Sequence, residues 1–290
     1  LPNNCTIWTN GRLMTMAANI DQEYGLLDQH DIITQDDQII AILPSATYTK
    51  PADAITIDLA NSLVTPGFID CHTHLVFGGN RAKEWEMRLN GVPYIEIAKQ
   101  GGGINSTVRN TRELSEQALY DLAFPRMLSL ANEGVTTIES KSGYGLDLDN
   151  ERKQLKVSQD LAKNYPIEIA STLLSAHAVP PEYKDKADEY IDLICETIMP
   201  TLWQEGLYEA VDVFCESVGF SLEQTKKVFD RAKALGIPVK GHMEQMSNLG
   251  GSELIAKYNG LSVDHIEFLD EAAIKAISQS GTVATLLPLA

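Results

Sequence analysis

Two histidines one residue apart, His72 and His74 in GFIDCHTHLVF, follow an apolar run. Side chains alternate along an extended segment, so both imidazoles face the same way and two nitrogens can reach one ion. Two more ligands would complete a site that keeps a position open for water. His242, in IPVKGHMEQ, stands at the end of another apolar run and is the candidate third ligand. Alone, each histidine is as well explained by a strand that surfaces. The clustering argues for a metal. The runs that end in His72-Thr73-His74, in ESKSGYG (139–145), in Ser175-Ala176-His177, in GHMEQ (241–245) and in Asp264-His265-Ile266-Glu267 carry all the histidines of the chain except His30.

Something must hold these ends together. Apolar strand candidates recur at 62–70, 134–140, 167–176, 210–216, 237–242, 261–268 and 281–288, with helical stretches between them. SLEQTKKVFDRAKALG (221–236) is the clearest helix: Ser221 and Gln224 make a capping-box pattern and Gly236 is a stop. Leu222, Val228, Phe229, Ala232 and Leu235 give it an apolar stripe. Strands separated by helices mark parallel βαβ units. A closed barrel takes eight, and its chemistry sits at the strand C-termini. The expected fold is therefore α/β: a metal-dependent, TIM-like (β/α)8 barrel over 63–290, truncated after seven strands and lacking the last strand and C-terminal segment. Residues 1–62 read as part of a small β-sandwich-like domain, with turns at Asn10-Gly11 and Asp36-Asp37.

Composition narrows the partners. The net charge of −17 argues against nucleic acid or an anionic membrane surface. No apolar run approaches the ~18 residues that a membrane span needs, and LPNNCTIWTN lacks the basic start and apolar core of a secretory signal. Cys5, Cys71, Cys195 and Cys215 are widely spaced, which suits free thiols in the cytoplasm. QGGGINSTV (100–108) is no phosphate cradle, since no Lys-Ser/Thr follows; it is expected to be a flexible flap near the active site.

TPGFIDCHTH, GVTTIESKSGYGL, TLLSAHAVPPEY, HMEQMSNLGG and SVDHIEFLDE together resemble the amidohydrolase superfamily, and within it the branch that opens imidazolone rings. The likeness covers essentially the whole chain. It implies hydrolysis of a cyclic amide, 4-imidazolone-5-propanoate, to N-formimidoyl-L-glutamate in histidine breakdown. It implies zinc or iron on His72, His74 and His242, with an Asp on an eighth strand that has no counterpart here. Strand four, AVDVFCES, lacks the lysine that bridges two metals in other members, so one ion is expected. Pairing into a homodimer is common among such barrels.

The substrate carries a carboxylate on a flat polar ring. Arg81 offers a forked pair of donors suited to that carboxylate, and Tyr144 in SKSGYG sits between glycines that can bring its phenol against a ligand. His177 is expected to hydrogen-bond the ring carbonyl or stabilise developing negative charge. Gln245 matches a substrate-binding position that carries Glu in some relatives; Gln can only hydrogen-bond there. His265 is the candidate for activating or orienting the water. The rival readings are another amidohydrolase acting on a cyclic amide or an aminohydrolase acting on a neutral heterocycle, which would need no carboxylate clamp, and a non-catalytic metal-binding module.

Overall fold

The computed structural model describes residues 1–92, 96 and 102–288, and the chain divides into two compact units, Leu1–Gly67 and Phe68–Ala290. In the first unit β1 (Thr6–Met14) pairs antiparallel with β2 (Leu26–Gln35), and β2 with β3 (Gln38–Pro44). The strands β4 (Ile55–Asp58) and β5 (Leu63–Val64) lie parallel to β1. Asp36-Asp37 turns the chain between β2 and β3, as expected. Asn10-Gly11 does not. It is a bulge inside β1, with the pairing to β2 shifting on either side of Gly11 and Asn10 at φ 56°. A bulge uses the same left-handed residue types as a tight turn, so the two read alike in sequence. Cys5, Ile7 and Ile33 form the core of this unit, while Ile39, Ile42 and Ile55 are exposed.

The run 62–70, expected as one strand, is two. Pro66 lacks the N–H that a ladder requires, and the chain breaks there between β5 and β6 (Phe68–Thr73). From β6 onward come β7 (Val135–Lys141), β8 (Glu168–Ala176), β9 (Ala210–Cys215), β10 (Val239–Met243), β11 (Ser262–His265) and β12 (Val283–Thr285). Each is parallel to the next, in chain order, which is the arrangement of a (β/α) barrel. Among the described residues this sheet has seven strands.

Helices cross between the strands. From β6 to β7 run α1 (Ala82–Leu89), α2 (Ile104–Glu113) and α3 (Glu116–Asn132), and α4 (Leu148–Asn164) links β7 to β8. The β8–β9 crossover holds α5 (Ala187–Leu193), a π turn and α6 (Met199–Gln204); α7 (Leu222–Leu235), α8 (Gly251–Ala256) and α9 (Glu271–Ser280) follow. The capping box at Ser221 and Gln224 forms on both sides, and Gly236 ends α7 in the left-handed region at φ 72°. Val228, Phe229 and Ala232 of α7 are buried against Val211 and Val213 of β9 in one apolar cluster. Burying a Val or Phe side chain stabilises by roughly 1.5–3 kcal/mol.

The other face of these strands is polar. Glu139 and Lys141 on β7, Asp212 on β9, Lys240 and His242 on β10, and Ser262 and Asp264 on β11 are all buried. They recur at a period of two and so share a side opposite the apolar set. The stretch 100–108 also departs from expectation. Residues 104–108 open helix α2, where Thr107 and Val108 are buried, while 100 and 101 lie outside the described residues.

Cys5, Cys195 and Cys215 are buried and Cys71 is exposed, and burial pushes the thiols of Cys195 and Cys215 up to about 11. A thiolate is the reactive form. Dithionitrobenzoate should therefore label Cys71 rapidly in the native protein and all four cysteines only after unfolding; rapid labelling of Cys195 or Cys215 would contradict this packing.

Candidate active site

His72, His74 and His242 meet. Their ring centroids are 4.6 Å apart for His72–His242, 5.6 Å for His72–His74 and 5.7 Å for His74–His242. One ligand atom from each lies within 4.8 Å of the others, so the trio could hold a metal ion. Asp70 accepts from the backbone N–H of His72, and Thr73 Oγ1 donates to the Glu139 carbonyl at 2.6 Å, tying the end of β6 to β7. His72 Nδ1 donates to Asp264 Oδ2 at 2.7 Å, and His242 Nδ1 donates to Asp212 at 3.1 Å. A carboxylate on one ring nitrogen fixes the tautomer and leaves the other nitrogen as a ligand. Among the described residues, His242 Nε2 and His74 Nδ1 are buried without any hydrogen bond. Buried polar atoms are nearly always partnered, so two orphaned imidazole nitrogens in one cluster fit a bound cation. Burial, reinforced by neighbouring imidazoles, holds His74 well below the usual histidine range. Burial also lowers His72, although its bond to Asp264 works against that. Neutral imidazoles keep the lone pairs a metal needs.

A charged network adjoins the trio. Lys141 Nζ donates to Glu139 Oε1 at 2.8 Å and Asp212 Oδ2 at 2.8 Å, and stands 3.0 Å from Asp264 Oδ2. Lys240 and Thr172 also reach Glu139 Oε1, at 2.7 Å each. Burial disfavours the Lys141 ammonium, but the three surrounding carboxylates outweigh it and raise its pKa. Asp212 is held well below the carboxylate range, its burial outweighed by His242 and Lys141.

Beyond His74 the site extends in a line. The Tyr144 ring lies 5.4 Å from His74 and 5.2 Å from His177, and His177 stacks on His74 at 5.1 Å. Arg81 Cζ is 6.0 Å from the Tyr144 ring. Arg81 Nε donates to Thr107 Oγ1 at 3.0 Å, while its Nη2 is buried with no hydrogen bond among the described residues. Phe77, Arg81, Thr107, Arg126 and Tyr144 line a cavity of about 370 Å³. At the other end, the His265 ring is 5.3 Å from both His72 and His242, with Nδ1 3.5 Å from Glu267 Oε1. His265 and Ile266 both have positive φ, 79° and 63°. For a β-branched residue that is an outlier, and the turn is held by Ile266 N–H donating to Met243 O at 3.0 Å.

Two residues of α4 shape the Tyr144 loop. Glu151, fully buried, accepts from Ser142 Oγ, Ser175 Oγ and the backbone N–H groups of Gly143, Gly145 and Leu146. Gln154 Oε1 accepts from Tyr144 N–H at 3.1 Å, and its Nε2 donates to Val76 O at 2.6 Å. The carbonyl of that same 143–144 peptide accepts His177 Nδ1–H at 3.0 Å. Burial lowers the pKa of His177 to about 3, and with Nδ1–H on Gly143 O the neutral ring offers a lone pair at Nε2.

Gly143 has φ 101°, and a Cβ there would stand 2.8 Å from Leu174 O and 3.0 Å from His177 Nδ1. Gly143→Ala should cost about 1–3 kcal/mol in strain alone, read as a lower midpoint in thermal unfolding; an unchanged midpoint would refute this geometry. Gln245 is half-buried just beyond β10, and among the described residues its amide meets no hydrogen-bond partner. Its neighbour Glu244 is structural: it accepts from Gly251 N–H, Ser252 N–H and Ser252 Oγ at the start of α8.

A parallel sheet with a histidine trio at its strand ends is the architecture of a metal-dependent hydrolase, and the chain belongs to the Amidohydrolase family, whose model matches residues 63–286. It is 61% identical to the imidazolonepropionase of Klebsiella pneumoniae subsp. pneumoniae over 97% of this chain and 69% of the relative. It is 59% identical to that of Photorhabdus laumondii subsp. laumondii over 97% of this chain and 68% of the relative. The chain thus spans somewhat over two thirds of these relatives. The fold is shared with a solved 5-methylcytosine deaminase from Klebsiella pneumoniae liganded with 5-fluorocytosine, at TM-score 0.67 and 17% identity, covering 96% of this chain and 64% of that one.

Glu139, Lys141, Asp212, Lys240, Asp264, Glu151 and Gln154 had no site role in the sequence reading. A signal was available for the charged ones: a charge inside an apolar strand of a doubly covered sheet must find a partner.

Proposed function

We propose that this enzyme hydrolyses the ring amide of 4-imidazolone-5-propanoate to give N-formimidoyl-L-glutamate, a step of histidine breakdown in the cytoplasm. The observation that carries the reading is the buried Arg81 Nη2, without a hydrogen bond among the described residues and joined through Tyr144 to the histidine cluster. An unpaired buried guanidinium donor is costly unless a ligand supplies the anion, and a propionate supplies it. The names of relatives at 59% and 61% identity agree with that choice.

His72, His74 and His242 would hold one ion, zinc or iron, since imidazole suits both. When bound, such an ion acts as a Lewis acid and can lower the pKa of water from ~16 to ~7. The chain's own groups do the rest. Arg81 takes the carboxylate, and Tyr144 closes over the ring from the side of His74. His177 Nε2 accepts a ring N–H, and Gln245 donates to or accepts from the ring's polar edge. His265, its pKa lowered by burial to about 4, is a weak base at neutral pH. It therefore orients the attacking water through a hydrogen bond and leaves proton transfer to a stronger base.

The test is turnover of 4-imidazolone-5-propanoate by metal-loaded protein, followed through loss of its ultraviolet absorbance. Folded, metal-bound protein that ignores this compound but deaminates a neutral heterocycle would replace the proposal with the aminohydrolase reading.

A further inference from the structure

Lys141 is the most buried cation among the described residues, its side chain fully enclosed. Its ammonium has three N–H donors, and three carboxylate oxygens surround it: Glu139 Oε1 at 2.8 Å, Asp212 Oδ2 at 2.8 Å and Asp264 Oδ2 at 3.0 Å. Two of those carboxylates are the ones that grip His242 and His72 by Nδ1. The carboxylates of Asp212 and Asp264, with His242, form a second group whose ligand atoms lie within 4.8 Å of one another, sharing His242 with the trio of histidines. Glu139 Oε2 is buried beside it without a hydrogen bond, an acceptor that the lysine leaves unused.

We infer that Lys141 is a built-in cation: its ammonium fills the place among Asp212, Asp264 and Glu139 that a second metal ion would take, and so holds the centre at one ion. Two things follow from the geometry. The donor set is all carboxylate oxygen and imidazole nitrogen, the chemistry that binds zinc or manganese, yet an ammonium needs no open coordination position and cannot be lost to a chelator. The hydrogen bond of Lys141 to Asp212 and its ion pair with Asp264 also hold those carboxylates in the rotamers that present their other contacts to His242 and His72. Lys141 is thus a positioning residue for the trio, acting through two carboxylates. Lys240, on Glu139 alone among these carboxylates, does not share that duty.

The inference rests on the reading of His72, His74 and His242 as metal ligands, and the experiment separates the two. Wild-type protein and the Lys141→Ala variant are stripped with chelator, dialysed against excess zinc and then against zinc-free buffer, and assayed for zinc per chain by mass spectrometry. Wild type should hold about one ion and Lys141→Ala about two. Methylammonium, which restores the missing head group, should bring the variant back towards one. Histidine tautomers read from ¹⁵N shifts of the zinc-free proteins should show Nδ1–H at His72 and His242 in the wild type and a mixture in the variant. A variant that holds the same number of ions as the wild type, with the same tautomers, overturns the inference while leaving the histidine trio intact. A wild type that holds none overturns the metal reading, and this inference with it. Should the variant unfold without metal, zinc must restore its folding, because an ion that fits the place stabilises the native state by binding; failure to do so also counts against the inference.

Discussion

Replacing His242 by alanine is expected to abolish tight metal binding and to lower kcat/KM by more than 100-fold. The size follows from comparison: loss of an outer partner of a metal-bound histidine costs ~10–100-fold, and loss of the ligand itself must cost more. The fold should survive. Asp212 would lose His242 but keep Lys141 at 2.8 Å, so the buried carboxylate is not stranded without a cation, which is the expensive case. Circular dichroism and thermal unfolding should therefore look near native while metal content and turnover collapse together. Normal turnover in this variant would remove the histidine trio from the mechanism.

Arg81→Met tests the other end of the site. Breaking a buried, hydrogen-bonded charge pair costs ~2–5 kcal/mol, or ~30-fold to a few thousand-fold in affinity at ~1.4 kcal/mol per decade. The carboxylate lies away from the scissile bond, so most of the loss should fall on KM and little on kcat. A substrate with propionamide in place of propionate supplies the control. Wild type should handle it about as poorly as the variant handles the acid, and the variant should hardly distinguish the two. An unchanged KM would mean that the acid binds elsewhere and that Arg81 Nη2 serves the protein alone.

The parts of the site that rest on local pattern were legible in the chain itself. HxH on a strand is a two-residue statement about which way side chains point, and six of the seven barrel strands followed from apolar runs punctuated by helices, while the first run, 62–70, covered two strands. What stayed hidden was pairing across distance. Lys141 and Asp212 are 71 residues apart, and His72 and Asp264 are 192 apart; no spacing rule joins them. Lys141 also stood one residue past the predicted end of its strand, where a lysine reads as the first solvated residue. The Gly-rich stretch misled for a different reason. Three glycines signal freedom, but Gly103 at φ 73° is the entry to helix α2, a defined use of the same property.

Gln154 has a consequence beyond its hydrogen bonds. Its amide donates to Val76, just after His72 and His74, and accepts from Tyr144. An amide has a direction, with hydrogen at one end and oxygen at the other, so neither Glu nor Leu can stand in without breaking one side. The segment that carries the proposed metal ligands and the loop proposed to contact the substrate are thereby riveted together. A lineage of such enzymes could not easily drift to a new substrate by remodelling the Tyr144 loop alone. Any shift of that peptide would be felt at His177 on one side and behind His74 on the other, so selectivity and reactivity would have to evolve as one trait.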